Sequence, residues 1–321
     1  MKNNIMDKYK NILVVIDPEK KEQISLKKAF NFALKEKDVK IEVLMVIYDF
    51  SFEMTSMISK EERHNMRDAV LKQQKNWIFE AIKEQNEHNF DVSISVLWHN
   101  RPFEAIINHV IDNKNDLVIK ATHHHDKLGS LIFTPTDWHL LRKCPSPLLL
   151  VKNLEWQPGQ KIVSSVHVGS ENKDHIKLNS KIVAETIKIS KILDGEVNLL
   201  NSYPPTPVNI TVEIPEFDPN TYSKTMRNHH ILGMKALRQN FGLPEEKTFV
   251  LEGIPSDIIP QFCDDHNAEV VVLGTTGRTG LSAVFIGNTA ESIIDKVKSD
   301  VLAIKPDGYV SPLDPENLYN S

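Results

Sequence analysis

Cysteine is nearly missing from this chain: Cys144 and Cys263 stand alone among 321 residues. A disulfide framework is therefore excluded, and the composition suits a reducing, cytoplasmic location. Neither thiol stands near a second cysteine or the partners of a nucleophilic triad, so both read as core residues. No apolar run reaches the roughly 18 residues of a membrane-spanning helix. The opening MKNNIMDKYK also lacks the apolar centre of a secretory signal. No membrane association is expected. Nor is there an excess of positive charge. The formal net charge is −5, which offers no bulk attraction to nucleic acid, so direct nucleic-acid binding is not expected. Catalytic signatures are absent as well: no nucleophile elbow, no His-Glu-x-x-His, no kinase set. An isolated Asp17 or Asp49 is not a mechanism, and no enzyme is read here.

What the chain does have is alternation. Lys10–Asp17, Lys40–Ile47, Asp91–Leu97, Asp116–Lys120 and Pro147–Val151 are predicted strands. Between them, Gln23–Glu36, Ser59–Glu87 and Pro102–Asp112 have helical spacing. Ser59 with Glu62 three residues on makes a capping box. The order then recurs. Lys161–His167, Glu196–Leu200, Thr248–Leu251, Glu269–Leu273 and Asp300–Ile304 are strands. Asn172–Leu193, Asp218–Asn240, Pro255–His266 and Ala290–Lys298 are helical. Strands alternating with helices predict a parallel sheet covered on both faces. Residues match between the halves at an offset of 153, as from Lys152 to Lys305, Pro102 to Pro255 and Val118 to Val271. Two copies of one domain are expected: residues 1–152 and 161–306, joined by a linker at 153–160 and followed by a flexible tail at 307–321.

One stretch carries the strongest chemical signal, VVVLGTTGRTGLSAVFIGNT, from Val270 to Thr289. A buried strand runs into Gly274 and Gly277, and a further glycine, Gly287, precedes a helix. Glycines at a strand end and a helix start can present backbone N–H groups to phosphate. The spacing is neither a dinucleotide fingerprint nor a Walker loop. It is G-2x-G-9x-G, which resembles the nucleotide-binding loop of the universal stress protein family. The phrases IYDFSFEMT, WHNRPFEAII, FTPTDWHLLRKCPSP and IPEFDP extend the resemblance over nearly the whole chain, to tandem-domain members of that family.

The resemblance implies two Rossmann-like α/β domains, each a five-stranded parallel sheet of order 3-2-1-4-5. It also implies a cytoplasmic protein of stress adaptation, including resistance to DNA-damaging agents, which acts by binding a ligand or partner and can form a homodimer. In nucleotide-binding relatives an Asp at the end of strand one meets the adenine, and the glycine loop after strand four meets the phosphates. The first half keeps Asp17. Its loop positions are Ala121, His124 and Thr134, followed by Pro135, and no nucleotide is expected there. The second half keeps the glycines but has His167 in place of the Asp. Asn288 stands where Ser or Thr is usual, with Thr289 one later. The expected site is therefore His167, Gly274, Thr275, Gly277, Arg278, Gly287, Asn288 and Thr289, taking ATP or another phosphate-bearing ligand. Two other readings stand beside it: a slow nucleotide hydrolase or phosphotransfer enzyme using the same loop, and a protein-interaction scaffold whose glycines are relics.

His123-His124-His125, with Asp126, is read as a solvated or packing loop and not a metal site, since consecutive residues rarely converge on one ion. His229-His230 is placed at a helix surface and His99 is read as structural. The proline-rich segment Tyr203–Tyr222, and its apolar counterpart Tyr48–Ile58 with Phe50, Phe52, Met54 and Met57, are read as long loops that pack the domains or line an apolar cavity.

Overall fold

The computed structural model describes residues 8–18, 20, 22–36, 38–54, 58–125, 130–152, 156–157, 159–206, 218–275 and 286–315. The chain divides into two compact units at Asn153/Leu154, with the segment from Val310 onward grouped with the first of them. The first contains β1 (Asn11–Val15), α1 (Ile24–Lys35), β2 (Lys40–Ile47), α2 (Ser51–Met54), α3 (Lys60–Gln85), β3 (Val92–Trp98), α4 (Pro102–Asn113), β4 (Leu117–Ala121), β5 (His123–His125), β6 (Ser130–Ile132), α5 (Pro135–Lys143) and β7 (Leu148–Val151). Its sheet runs β7-β4-β1-β2-β3, with every pair parallel. The central strands bury Ile12, Leu13, Val14, Val118 and Ile119 completely, as continuous apolar runs covered on both faces must.

The second unit contains β8 (Lys161–Ser165), α6 (Lys173–Leu193), β9 (Glu196–Tyr203), α7 (Pro219–Phe241), β10 (Thr248–Glu252), α8 (Pro255–Asp265), β11 (Ala268–Gly274), α9 (Asn288–Lys296) and β12 (Asp300–Ile304). Its sheet runs β10-β9-β8-β11-β12, again parallel. Both sheets therefore have the order 3-2-1-4-5. In each, the chain moves one way through strands one, two and three, then returns to add strand four on the other side. Right-handed crossovers put the helices before and after that reversal on opposite faces.

Ser59 caps α3 as expected. Its hydroxyl accepts from the Glu62 N–H at 3.2 Å, and the Glu62 carboxylate accepts from the Ser59 N–H at 3.0 Å. Several elements differ from the sequence reading. The triple histidine is not a loop: β5 pairs antiparallel with β6. Residues 135–143 form a helix that the mixed polarity of PTDWHLLRK concealed. Ser51–Met54 is a short helix inside the expected loop, and Tyr203 is the buried last residue of β9. Of the rest of the proline-rich segment, residues 207–217 lie outside the described residues.

The tail expected from residue 307 is anchored at its start. Asp307 pairs with Lys181 at 2.8 Å, and the Tyr309 ring lies 4.9 Å from the Lys305 ammonium. Ser311 is fully buried. Residues 316–321 lie outside the described residues.

Candidate functional site

In open parallel sheets a ligand sits where the strand order reverses, beyond the carboxyl ends. Here that point lies between β1 and β4 in one unit and between β8 and β11 in the other. Val15 is in register with Lys120, and Ser165 with Leu273. Asp17 and His167 each follow their strand by two residues. Ile16 donates its N–H to Leu44 O, and Val166 to Leu200 O, so Asp17 and His167 occupy equivalent places. Each is held by a carboxamide. The Asp17 N–H donates to Gln23 Oε1 at 3.1 Å and Gln23 Nε2 donates to Asp17 O at 2.8 Å. The His167 N–H donates to Asn179 Oδ1 at 3.0 Å and Asn179 Nδ2 to His167 O at 2.8 Å. The two copies thus retain the backbone of the site while its side chain changes from carboxylate to imidazole.

The glycine-loop residues separate into distinct roles. Gly274 ends β11, and a Cβ there would lie 2.7 Å from Leu178 Cδ2 and 3.1 Å from Ile182 Cδ1. Its smallness admits α6 against the strand. Thr275 is fully buried, its N–H donating to Ile304 O at 2.9 Å and its hydroxyl at 3.4 Å to the same oxygen. It is not presented to a ligand. Thr122 repeats that arrangement on Val151 O, at 2.9 and 3.3 Å. Gly277 and Arg278 lie outside the described residues. Gly287, Asn288 and Thr289 are all exposed at the start of α9. Gly287 has φ +94°, a conformation that L side chains rarely adopt, with open space where a Cβ would project. It supplies no side-chain cap. The first N–H groups of a helix have no partner within it. Here the residues that carry them, Asn288 and Thr289, are exposed, at the helix end whose dipole favours an anion.

The first unit shows what fills that place in the other copy. Thr134 begins α5 at the position of Gly287. Its N–H donates to Asp137 Oδ2 at 2.7 Å, its hydroxyl donates to the same oxygen at 2.8 Å, and the Asp137 N–H returns to the hydroxyl at 3.2 Å. Asp137 Oδ1 meets Lys120 Nζ at 2.7 Å, with the Asp137 side chain 0% exposed. A buried carboxylate of the chain's own thus occupies the helix start. In the second unit the matching positions are Leu273 for Lys120, Gly287 for Thr134 and Ala290 for Asp137. The carboxylate and both of its partners are gone together.

Beside His167 the structure assembles a group that sequence reasoning missed. His230, expected at a surface, is 2% exposed. Asn201 Nδ2 donates to Val166 O at 3.0 Å, which turns Asn201 Oδ1 toward His230 Nδ1 at 2.7 Å. That nitrogen therefore carries the proton of the neutral ring. The His230 ring stacks on Tyr203, with centroids 5.1 Å apart, and lies 6.4 Å from His167, which is 6.1 Å from His175. Burial, then the neighbouring His167 and His229, hold the His230 pKa below its ordinary 6.5. Desolvation and His175 lower that of His167. The sequence carried no local signal for this group, because its members come from separate strands and helices. His99 is structural as read, its Nδ1 accepting from the Arg101 N–H at 3.0 Å. Among the described residues no cluster of three or more His, Cys, Asp or Glu could hold a metal ion. No helix among them is long and apolar enough to cross a membrane.

The duplicated parallel sheet of order 3-2-1-4-5, with a glycine opening the fourth helix of the second copy, defines a tandem α/β protein. The chain belongs to the universal stress protein family, whose pattern matches residues 8–152 and 179–305. It is 48% identical over 310 residues to Universal stress protein E of Escherichia coli (strain K12), covering 96% of this chain and 98% of that one. To the Universal stress protein E homolog of Haemophilus influenzae it is 39% identical over 303 residues, 93% and 98% of the two chains. Among solved structures it is similar to a putative universal stress protein from Pseudomonas aeruginosa UCBPP-PA14, at TM-score 0.72 and 27% identity over 98% of both chains. A functionally unknown protein from Pseudomonas aeruginosa PAO1 aligns at TM-score 0.70 and 27% identity, over 93% of each.

Proposed function

We propose that this protein serves stress adaptation in the cytoplasm, including survival of DNA-damaging agents. It acts by binding and not by turnover, and takes one phosphate-bearing ligand, ATP or a related nucleotide, in its second domain. Protein partners or a second copy of the chain would read the loaded state. The observation that carries the site is the contrast between the two helix starts. In α5 the Asp137 carboxylate takes the place of an anion, whereas α9 begins at exposed Gly287 with no side-chain cap. His167, in place of an acidic residue, gives the base end a different hydrogen-bonding preference from that of Asp17.

The first domain also supplies the test. Pro135 opens α5 at the position of Asn288, and proline is well tolerated at the first residue of a helix. Asn288→Pro should leave α9 folded while removing one N–H and one side-chain donor. Calorimetric titration of the full chain with ATP should show binding that weakens about tenfold or more in Asn288→Pro, the scale of lost hydrogen bonds to a charged group. Absence of heat with ATP up to millimolar concentration, or equal affinity in the variant, would remove the assignment. In cells, Asn288→Pro should restore less survival of a DNA-damaging agent than the unchanged chain does.

A further inference from the structure

A second concave site lies in the first domain, away from the strand reversal. It has a volume of about 430 Å³ and is lined by Phe52, Lys60, Arg63, His64, Arg67 and Trp98. That volume is in the range of small-molecule pockets. One wall is aromatic: Phe52 meets Trp98 edge to face, with centroids 5.1 Å apart. The other is cationic. Lys60, Arg63, His64 and Arg67 recur at i, i+3, i+4 and i+7 on α3, which puts them on one stripe.

The charges on that stripe are poorly compensated. Lys60 and Arg63 have no acidic partner within 4.0 Å among the described residues. Glu62, which could offset them, is taken by the capping box with Ser59. Asp68 lies 3.3 Å from His64 Nε2. Arg67 Nη2 donates to His64 Nδ1 at 3.2 Å, while Arg67 Nε is buried without an acceptor among the described residues. Like charges three and four residues apart work against the helix that carries them. A guanidinium N–H left open beneath a basic rim suits an oxyanion. Guanidinium groups match phosphate in geometry, and aromatic walls accept a flat ring.

We propose that this pocket binds a small aromatic anion, a planar ring carrying a phosphate or similar oxyanion. The ring lies against Phe52 and Trp98, and the oxyanion is held by Arg63 and Arg67 with Lys60 at the rim. This site is independent of the one at α9.

The probe is 1-naphthyl phosphate, with 1-naphthol and inorganic phosphate as its two halves, titrated calorimetrically into the full chain. The intact probe should bind more tightly than either half, and added salt should weaken it. Arg63→Gln/Arg67→Gln should weaken it about tenfold or more, the scale of losing charge-assisted hydrogen bonds. Lys60→Gln/Arg63→Gln, which leaves Arg67 in place and alters only side chains with no acidic partner among the described residues, should weaken it in the same direction with unchanged melting temperature. Asn288→Pro should leave probe binding intact. The proposal is overturned if both double variants bind as the wild type does, or if either half binds as tightly as the whole. It is overturned equally if Asn288→Pro abolishes probe binding, because the probe would then be reading the second domain.

Discussion

At the scale of single residues, the second domain rests on side chains chosen for fit. Gly274 illustrates the difference between a glycine kept for a ligand and one kept for packing. Gly274→Ala would press a methyl group onto Leu178 and Ile182, and such overpacking costs about 1–3 kcal/mol. Chemical denaturation should show that loss, with ATP affinity per folded molecule little changed. His230 makes a second residue-level statement. Its folded pKa lies below the ordinary 6.5, chiefly through burial. The unfolded chain therefore takes up a proton first as pH falls. Stability from the neutral ring is full above the unfolded value and is lost as pH drops through the depressed folded value. In an NMR titration the His230 ring should titrate below 6.5. His230→Gln should flatten the acid side of the stability profile. A His230 midpoint at or above 6.5 would contradict the burial argument.

At the scale of elements, α5 and α9 are the same helix put to two uses. Both start at equivalent positions and both follow a buried Thr fixed to the last strand. They differ in what faces the first turn. In α5 the Lys120–Asp137 pair sits under the helix start, and removing one partner of a buried pair costs roughly 3–5 kcal/mol by leaving a charge uncompensated. Lys120→Met should lose about that much in urea unfolding, and Lys120→Met/Asp137→Asn should recover most of it. If Lys120→Met alone were neutral, the carboxylate would not depend on the lysine, and the account of the closed first site would fail. The second domain has neither member of this pair, because Leu273 and Ala290 stand at the two positions.

At the scale of the whole molecule, two copies of one fold are expected to divide their labour. In the Arg63→Gln/Arg67→Gln chain, where the aromatic-anion pocket is disabled, calorimetry should report one equivalent of ATP per chain. Two equivalents would mean that Asp137 does not close the first site. The duplication itself was legible from matched positions such as Pro102 and Pro255, whereas the strand order came from the family resemblance alone.

Local chemistry was enough for much of this protein. Strands β2 and β12 fall where their apolar runs begin and end, and the Ser59 capping box is a matter of two residues three apart. Periodicity and capping act within a turn or a strand, so a single stretch of chain determines them. The basic stripe of α3 obeys the same rule, lying at 60, 63, 64 and 67 in one stretch of chain, although the sequence reading did not single it out. Its meaning is not local, because Phe52 and Trp98 come from a separate helix and strand. The start of α5 is written locally in Thr134, Pro135 and Asp137, but the sequence reading took Thr134 and Pro135 as loop positions and the mixed pattern behind them hid the helix. What only the tertiary structure decided is how distant polar groups meet: Lys120 beneath Asp137, Asn201 turned to His230, Asn179 clamping His167. Their partners are brought near by strand order and burial. A buried polar group is satisfied by whatever the fold puts beside it, whichever part of the chain that neighbour comes from.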